Sequence, residues 1–238
     1  MTRTTTPPAL RTTWDRIGAA AGAAYVLLIL IGNQLSSGSS SDPHPSGAKD
    51  LADFASSPSV AEKVGFTMEL LGFLTFMFFL GWLVHTLRLR GGPAAWLGGA
   101  AGAAGIVTLS VKVASAMPIM AGRLDHADMS PATARILTDM NGAAFVITFL
   151  TFGTFLLAGG LAILTSGLLG RFAGWSAVVI GALSIVLTVL TQADPVDTNP
   201  MPFLAGLVWV LVVSIRLAWK GPRETADESF DVRVPVTA

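Results

Sequence analysis

Cysteine is absent from the 238 residues. That excludes disulfides, thiolate metal sites, iron–sulfur clusters and cysteine nucleophiles. Charge is scarce as well: 13% of the residues are Asp, Glu, Lys or Arg, where a soluble domain carries about 25%. So little charge leaves too little polar surface to cover a water-soluble globule. Neither sign is in surplus, with 15 basic and 15 acidic side chains. No basic run of the kind that holds phosphate occurs, so nucleic acid is excluded as a partner. Gly-x-Ser-x-Gly, a phosphate-binding glycine loop with lysine, His-Glu-x-x-His and paired intramembrane carboxylates are all missing. The three histidines are His44, His85 and His126. Asp125-His126-Ala127-Asp128, taken with Asp42 and His44, lacks a metal-ligand spacing and reads as solvated loop. No metal and no cofactor is expected.

What the chain has is apolar length. Hydrophobic residues make up 52% of it, and its mean hydropathy is +0.65. A helix that crosses a bilayer needs roughly 20 mostly apolar residues. Six such runs occur, at about 17–34, 63–87, 95–117, 141–166, 175–192 and 203–219. The expected fold class is therefore all-α: a polytopic membrane bundle of six transmembrane helices spanning 17–219, with the lipid bilayer as its first partner. The flanking tails, 1–16 and 220–238, read as disordered. Arg3, Arg11 and Arg16 ahead of the first run also fit a cleaved leader, but the run is long and no small-x-small site follows it directly.

The connections carry their own signals. Ser36 to Ser41 is low-complexity, and Ala48 to Ser56 has room for one short surface helix. Ser59-Val60-Ala61-Glu62 is a capping box that opens the second span. Arg88 to Pro93 is a tight turn, and 118–139 reads as a polar loop. Within that loop Ser130-Pro131 is an N-cap followed by proline at the first helical position, leading into the fourth span. Asp194-Pro195 and Asn199-Pro200 mark the last turn.

Lys and Arg placement orients the bundle. With the N-terminus in the cytoplasm, the inner segments hold Arg3, Arg11, Arg16, Arg88, Arg90, Arg171, Arg216, Lys220, Arg223 and Arg233. The outer side keeps only Lys49, Lys63, Lys112, Arg123 and Arg135. Trp14, Trp96, Trp175 and Trp219 fall at the inner boundary, where indole rings settle. Both termini are expected to be cytoplasmic.

Shifting the chain by 79 residues lays the second and third spans on the fourth and fifth. Residues 64–112 and 143–191 share 15 identities over 49 positions, against roughly 5 for unrelated apolar segments of this composition. Phe73-Leu74-Thr75-Phe76 meets Phe152-Gly153-Thr154-Phe155, Thr86 meets Thr165, Gly91 meets Gly170, and Trp96 meets Trp175. The pattern reads as a parallel duplication of a helical hairpin. Such repeats occur in transporters and in proteins that transport nothing.

Two ionisable residues lie within spans, where charge is costly and turns toward the protein interior. Glu69 sits about six residues into the second span and Lys112 about five residues from the end of the third, each roughly 8 Å deep. Both lie on small-residue helix faces, so an ion pair between them is expected. It can be helix glue or part of a ligand site; snorkelling of either side chain without pairing is the third option. Asn33, Gln34, Asn141 and Gln192 gather at the same ends, with Asp194. With Glu69 and Lys112 they either line an outward-facing vestibule for a small polar ligand or are the ordinary polar ends of helices.

Thr86-Leu87-Arg88-Leu89-Arg90, Ser130-Pro131-Ala132-Thr133-Ala134-Arg135, Asn141 to Phe145 and Gly167 to Trp175 give the chain a familiar outline. Over roughly 17–219 it resembles uncharacterised six-helix membrane proteins of high-GC Gram-positive bacteria, such as the domain-of-unknown-function family numbered 4386. The resemblance implies a bacterial plasma membrane and this architecture, and supplies no activity. Three function classes stand at this point. The first is a binding, transport or accessory membrane protein, which the short loops favour. The second is an intramembrane enzyme using Glu69 against Lys112, and the third a structural subunit of a membrane complex. Protein partners are not legible.

Overall fold

The computed structural model describes residues 13–36, 46–191 and 199–220. The expected tails outside those limits, Gln192 and Asp194 lie outside the described residues. Seven α-helices account for nearly all of the rest: α1 (Thr13–Ser36), α2 (Gly47–Ala55), α3 (Val60–Arg88), α4 (Gly92–Leu124), α5 (Pro131–Ser166), α6 (Arg171–Leu190) and α7 (Met201–Lys220). All except α2 are long and apolar enough to cross a membrane, and the chain is a multi-pass membrane protein.

The six long helices close a ring. α1 packs on α3, α3 on α4, α4 on α5, α5 on α6, α6 on α7, and α7 returns to α1. Across the interior α5 also reaches α3 and α7. Small residues set the closest approaches, as expected where lipid offers no hydrophobic drive between helices. Gly32 on α1 faces Gly65 on α3; Gly153 and Gly160 on α5 face Gly181 and Gly174 on α6. Large apolar side chains such as Phe78 and Leu190 point outward. An aromatic cluster fills the centre, with the Phe76 ring 4.3 Å from Tyr25, 6.2 Å from Phe79 and 5.6 Å from Phe155.

The capping signals act as read. The Ser59 N–H donates to Glu62 Oε2 at 2.6 Å while Ser59 Oγ accepts from the Glu62 N–H at 3.2 Å. Ser130 Oγ accepts from the Thr133 N–H at 3.1 Å ahead of Pro131. The hairpin repeat is visible in the backbone. Gly91 and Gly170, 79 residues apart, cap α4 and α6 with φ 68°, ψ −171° and φ 90°, ψ 165°, a region essentially open to glycine alone. Thr86 and Thr165 each turn a hydroxyl back to the carbonyl four residues earlier. Trp96 and Trp175 both lie exposed near the starts of α4 and α6.

Three expectations need correction. Residues 13–16 belong to α1 rather than to a tail, and Trp82 Nε1 donates to Asp15 Oδ1 at 3.3 Å. Residues 118–124, read as loop, continue α4 through Pro118. An apolar run measures only the hydrocarbon part of a helix. The hydrogen-bond ladder continues beyond it, and a proline there forfeits one bond that neighbours can replace. Helix α2 is also more than a surface helix. It lies on α5 and α4 at one end of the bundle, with the Phe54 ring against Gly122 and the backbone at Gly47 against the Pro131 carbonyl. Its Asp50 is buried beside Arg135, 3.8 Å away. Burial pushes that carboxyl above the usual range, while Arg135 and the Thr138 hydroxyl pull it down.

Candidate functional site

The α3–α4 hairpin is packed tightly near its turn and opens toward the α2 end. Beside the turn, Gly98, Gly102 and Gly105 of α4 lie against Leu87, Val84 and Leu80 of α3. Beyond that point the facing side chains line a cavity of about 680 Å³. This is within the range of small-ligand sites, about 300–1,000 Å³. α1 contributes Asn33 and Ser36, and α5 contributes Asn141. At the α2 end Arg123 Nη2 lies 3.6 Å from Glu62 Oε1, joining the last turn of α4 to the first of α3. Phe66, Leu70, Val113, Met117 and Met120 line the cavity and are also exposed on the outer surface of the bundle. The mouth therefore opens sideways between α3 and α4.

Glu69 and Lys112 both line this cavity. The expected contact between them does not form. Ser36 Oγ donates to Glu69 Oε1 at 2.5 Å, while Lys112 Nζ lies 4.5 Å over the Phe145 ring. α1 thus draws the acid to one wall and α5 draws the base to the other. Among the described residues the ion pairs are Arg123 with Glu62 and Arg135 with Asp50 and Asp139. A second, narrow cleft of about 20 Å³ continues inward from Glu69 and Lys112 to Tyr25, Thr108 and Thr148, which is room for about one water.

Four of the six expected site residues therefore meet: Asn33, Glu69, Lys112 and Asn141. Gln34 is exposed and stands off the cavity wall, because one residue beyond Asn33 a helix has turned by about 100°. Asn141 is partly committed. Its Nδ2 donates to the Ser115 carbonyl at 2.7 Å, in the turn of α4 that Pro118 loosens, and Ser115 Oγ in turn donates to the Lys112 carbonyl at 2.7 Å. Asn141→Leu is expected to cost about 1–2 kcal/mol of stability. Pro118→Ala in the same chain should recover part of it by closing the ladder; thermal melts of the two single variants and the double one check this. Ser36 and Phe145 carry no signal in the sequence that marks them as site residues; the Glu62–Arg123 pair carries one, opposite charges at matching ends of one hairpin.

Compared with protein-family models, curated proteins and solved structures, the chain matches none.

Proposed function

We propose that this is a non-enzymatic binding, transport or accessory membrane protein that accepts an amphipathic molecule sideways from the membrane. One observation carries the reading: the cavity joins a polar floor to an apolar, laterally open mouth. A vestibule for a wholly polar ligand would open to water instead, and here the Glu62–Arg123 pair spans the α2 end. An intramembrane enzyme built on Glu69 needs a further polar group within reach of both charges; Asn141 uses its amide on the Ser115 carbonyl. The Lys/Arg distribution favours cytoplasmic termini with the α2 end outside, which makes the outer leaflet the source of the ligand; the resemblance in sequence implies that the membrane is a bacterial plasma membrane. A reporter active only in the cytoplasm should signal after Lys220 and stay silent after Ala127.

Native mass spectrometry tests the site. Protein released from nanodiscs of mixed phosphatidylethanolamine and phosphatidylglycerol should keep one lipid at energies that strip the annular lipids. Ala116→Trp, which places an indole in the cavity, should keep none while melting normally. A wild type that strips bare, or a variant that retains its lipid, overturns the reading.

A further inference from the structure

Glu62, Lys63 and Arg123 line the cavity toward its α2 end, and two further opposite charges, Glu69 and Lys112, face it with bonding capacity left over. Only Ser36 donates to Glu69, and it reaches Oε1; among the described residues Oε2 receives no donor. Lys112 Nζ has the Phe145 ring beneath it and no hydrogen-bond acceptor among the described residues. Each is held by a different helix, α1 or α5, so neither neutralises the other by contact. A charged group in a low-dielectric site is stabilised by each further hydrogen-bond partner it gains. A ligand that satisfies only one of the two is repelled by the other, because an anion at Lys112 also lies near Glu69 and a cation at Glu69 near Lys112.

Resting on the binding reading above, we propose that the cavity selects an amphiphile with a zwitterionic head. Its primary ammonium donates to Glu69, and its phosphate or carboxylate accepts from Lys112. Three features of the cavity converge on this. The floor carries one donor group, Lys112 Nζ, and one acceptor atom, Glu69 Oε2, with bonding capacity left, a complementary pair that does not meet in contact. The walls beside them, Phe66, Leu70, Val113 and Met117, are apolar and lead out between α3 and α4, which fits a hydrocarbon tail. The methionines at the mouth, Met117 and Met120, are unbranched and adapt to chains of differing shape. The membrane is the source of the ligand, since the open side of the cavity meets lipid.

Headgroup selectivity is the test, read by native mass spectrometry with dioctanoyl lipids titrated onto delipidated protein. Dioctanoyl phosphatidylethanolamine should bind about tenfold or more tighter than dioctanoyl phosphatidylglycerol, the dioctanoyl trimethylammonium-propane cation or dioctanoylglycerol. Glu69→Gln should lose the preference over phosphatidylglycerol, and Lys112→Met should shift preference to the cation. The wild-type comparison stands even if either variant folds poorly. Equal binding of all four heads would overturn the zwitterion assignment while leaving an occupied cavity intact. Displacement of the lipid by free phosphoethanolamine at similar concentration would overturn the membrane source. Loss of all binding, together with a lipid-free Ala116→Trp result matched by the wild type, would remove the site itself.

Discussion

Gly160→Ala is expected to destabilise the protein by about 2–3 kcal/mol, whereas Gly81→Ala should be neutral or stabilising by up to about 1 kcal/mol. The two glycines are repeat equivalents, 79 residues apart, and their surroundings differ completely. A Cβ on Gly160 would lie 2.8 Å from both the Gly174 carbonyl and the Val178 nitrogen. These are backbone atoms of α6, so the whole helix must retreat to admit a methyl group. A Cβ on Gly81 meets nothing within 4 Å, and alanine there only improves helix propensity. Thermal unfolding of both variants in one detergent reads the contrast directly. Equal losses would mean that the α3–α4 and α5–α6 hairpins pack alike, contrary to the structure.

That contrast separates what the sequence carries from what it hides. Helix number, caps and the two glycine turns are local properties, set by apolar run length, by Ser59 and Ser130, and by backbone angles that glycine alone adopts freely. All of these can be read along the chain. The 79-residue match is legible too, since turn and threonine positions repeat as well as apolar ones. What the match does not reveal is that one hairpin is tight along its length while the other splays. Splaying depends on how far along a hairpin the small residues of one helix meet the next. In α5–α6, Gly160 and Gly153 face Gly174 and Gly181; in α3–α4 the close contacts of Gly98, Gly102 and Gly105 with Leu87, Val84 and Leu80 lie beside the turn.

The same distinction explains the fate of the charges. Depth along a helix is a sum of rises, and on that count the sequence sets Glu69 and Lys112 level. Their partners depend on which helices flank the hairpin, and nothing local places Ser36 of α1 or Phe145 of α5 beside them. The expected ion pair fails for that reason, and its failure is informative. A contact pair would be inert glue, whereas two separated charges on opposite walls of one cavity retain the capacity to bind.

The central aromatic cluster supplies the other large effect. Phe76→Ala is expected to cost about 3 kcal/mol, near the low end for a buried phenylalanine. The transfer part of the usual penalty shrinks in a bilayer, where the outside is as apolar as the core. What remains is the cavity and the lost dispersion contacts, and Phe76 has no exposure and three ring neighbours. Phe78→Ala, two residues along and 72% exposed, should change stability by less than about 0.5 kcal/mol. Phe155→Ala, at the repeat-equivalent position and equally buried, should cost about as much as Phe76→Ala. The two rings meet edge to face at 5.6 Å, so the double variant should lose less than the sum by about 0.5–1.5 kcal/mol. A coupling of that size means that the two hairpins are joined through repeat-equivalent side chains. Strict additivity would mean that each ring stabilises only its own hairpin, leaving the contacts between α4 and α5 to hold the halves together.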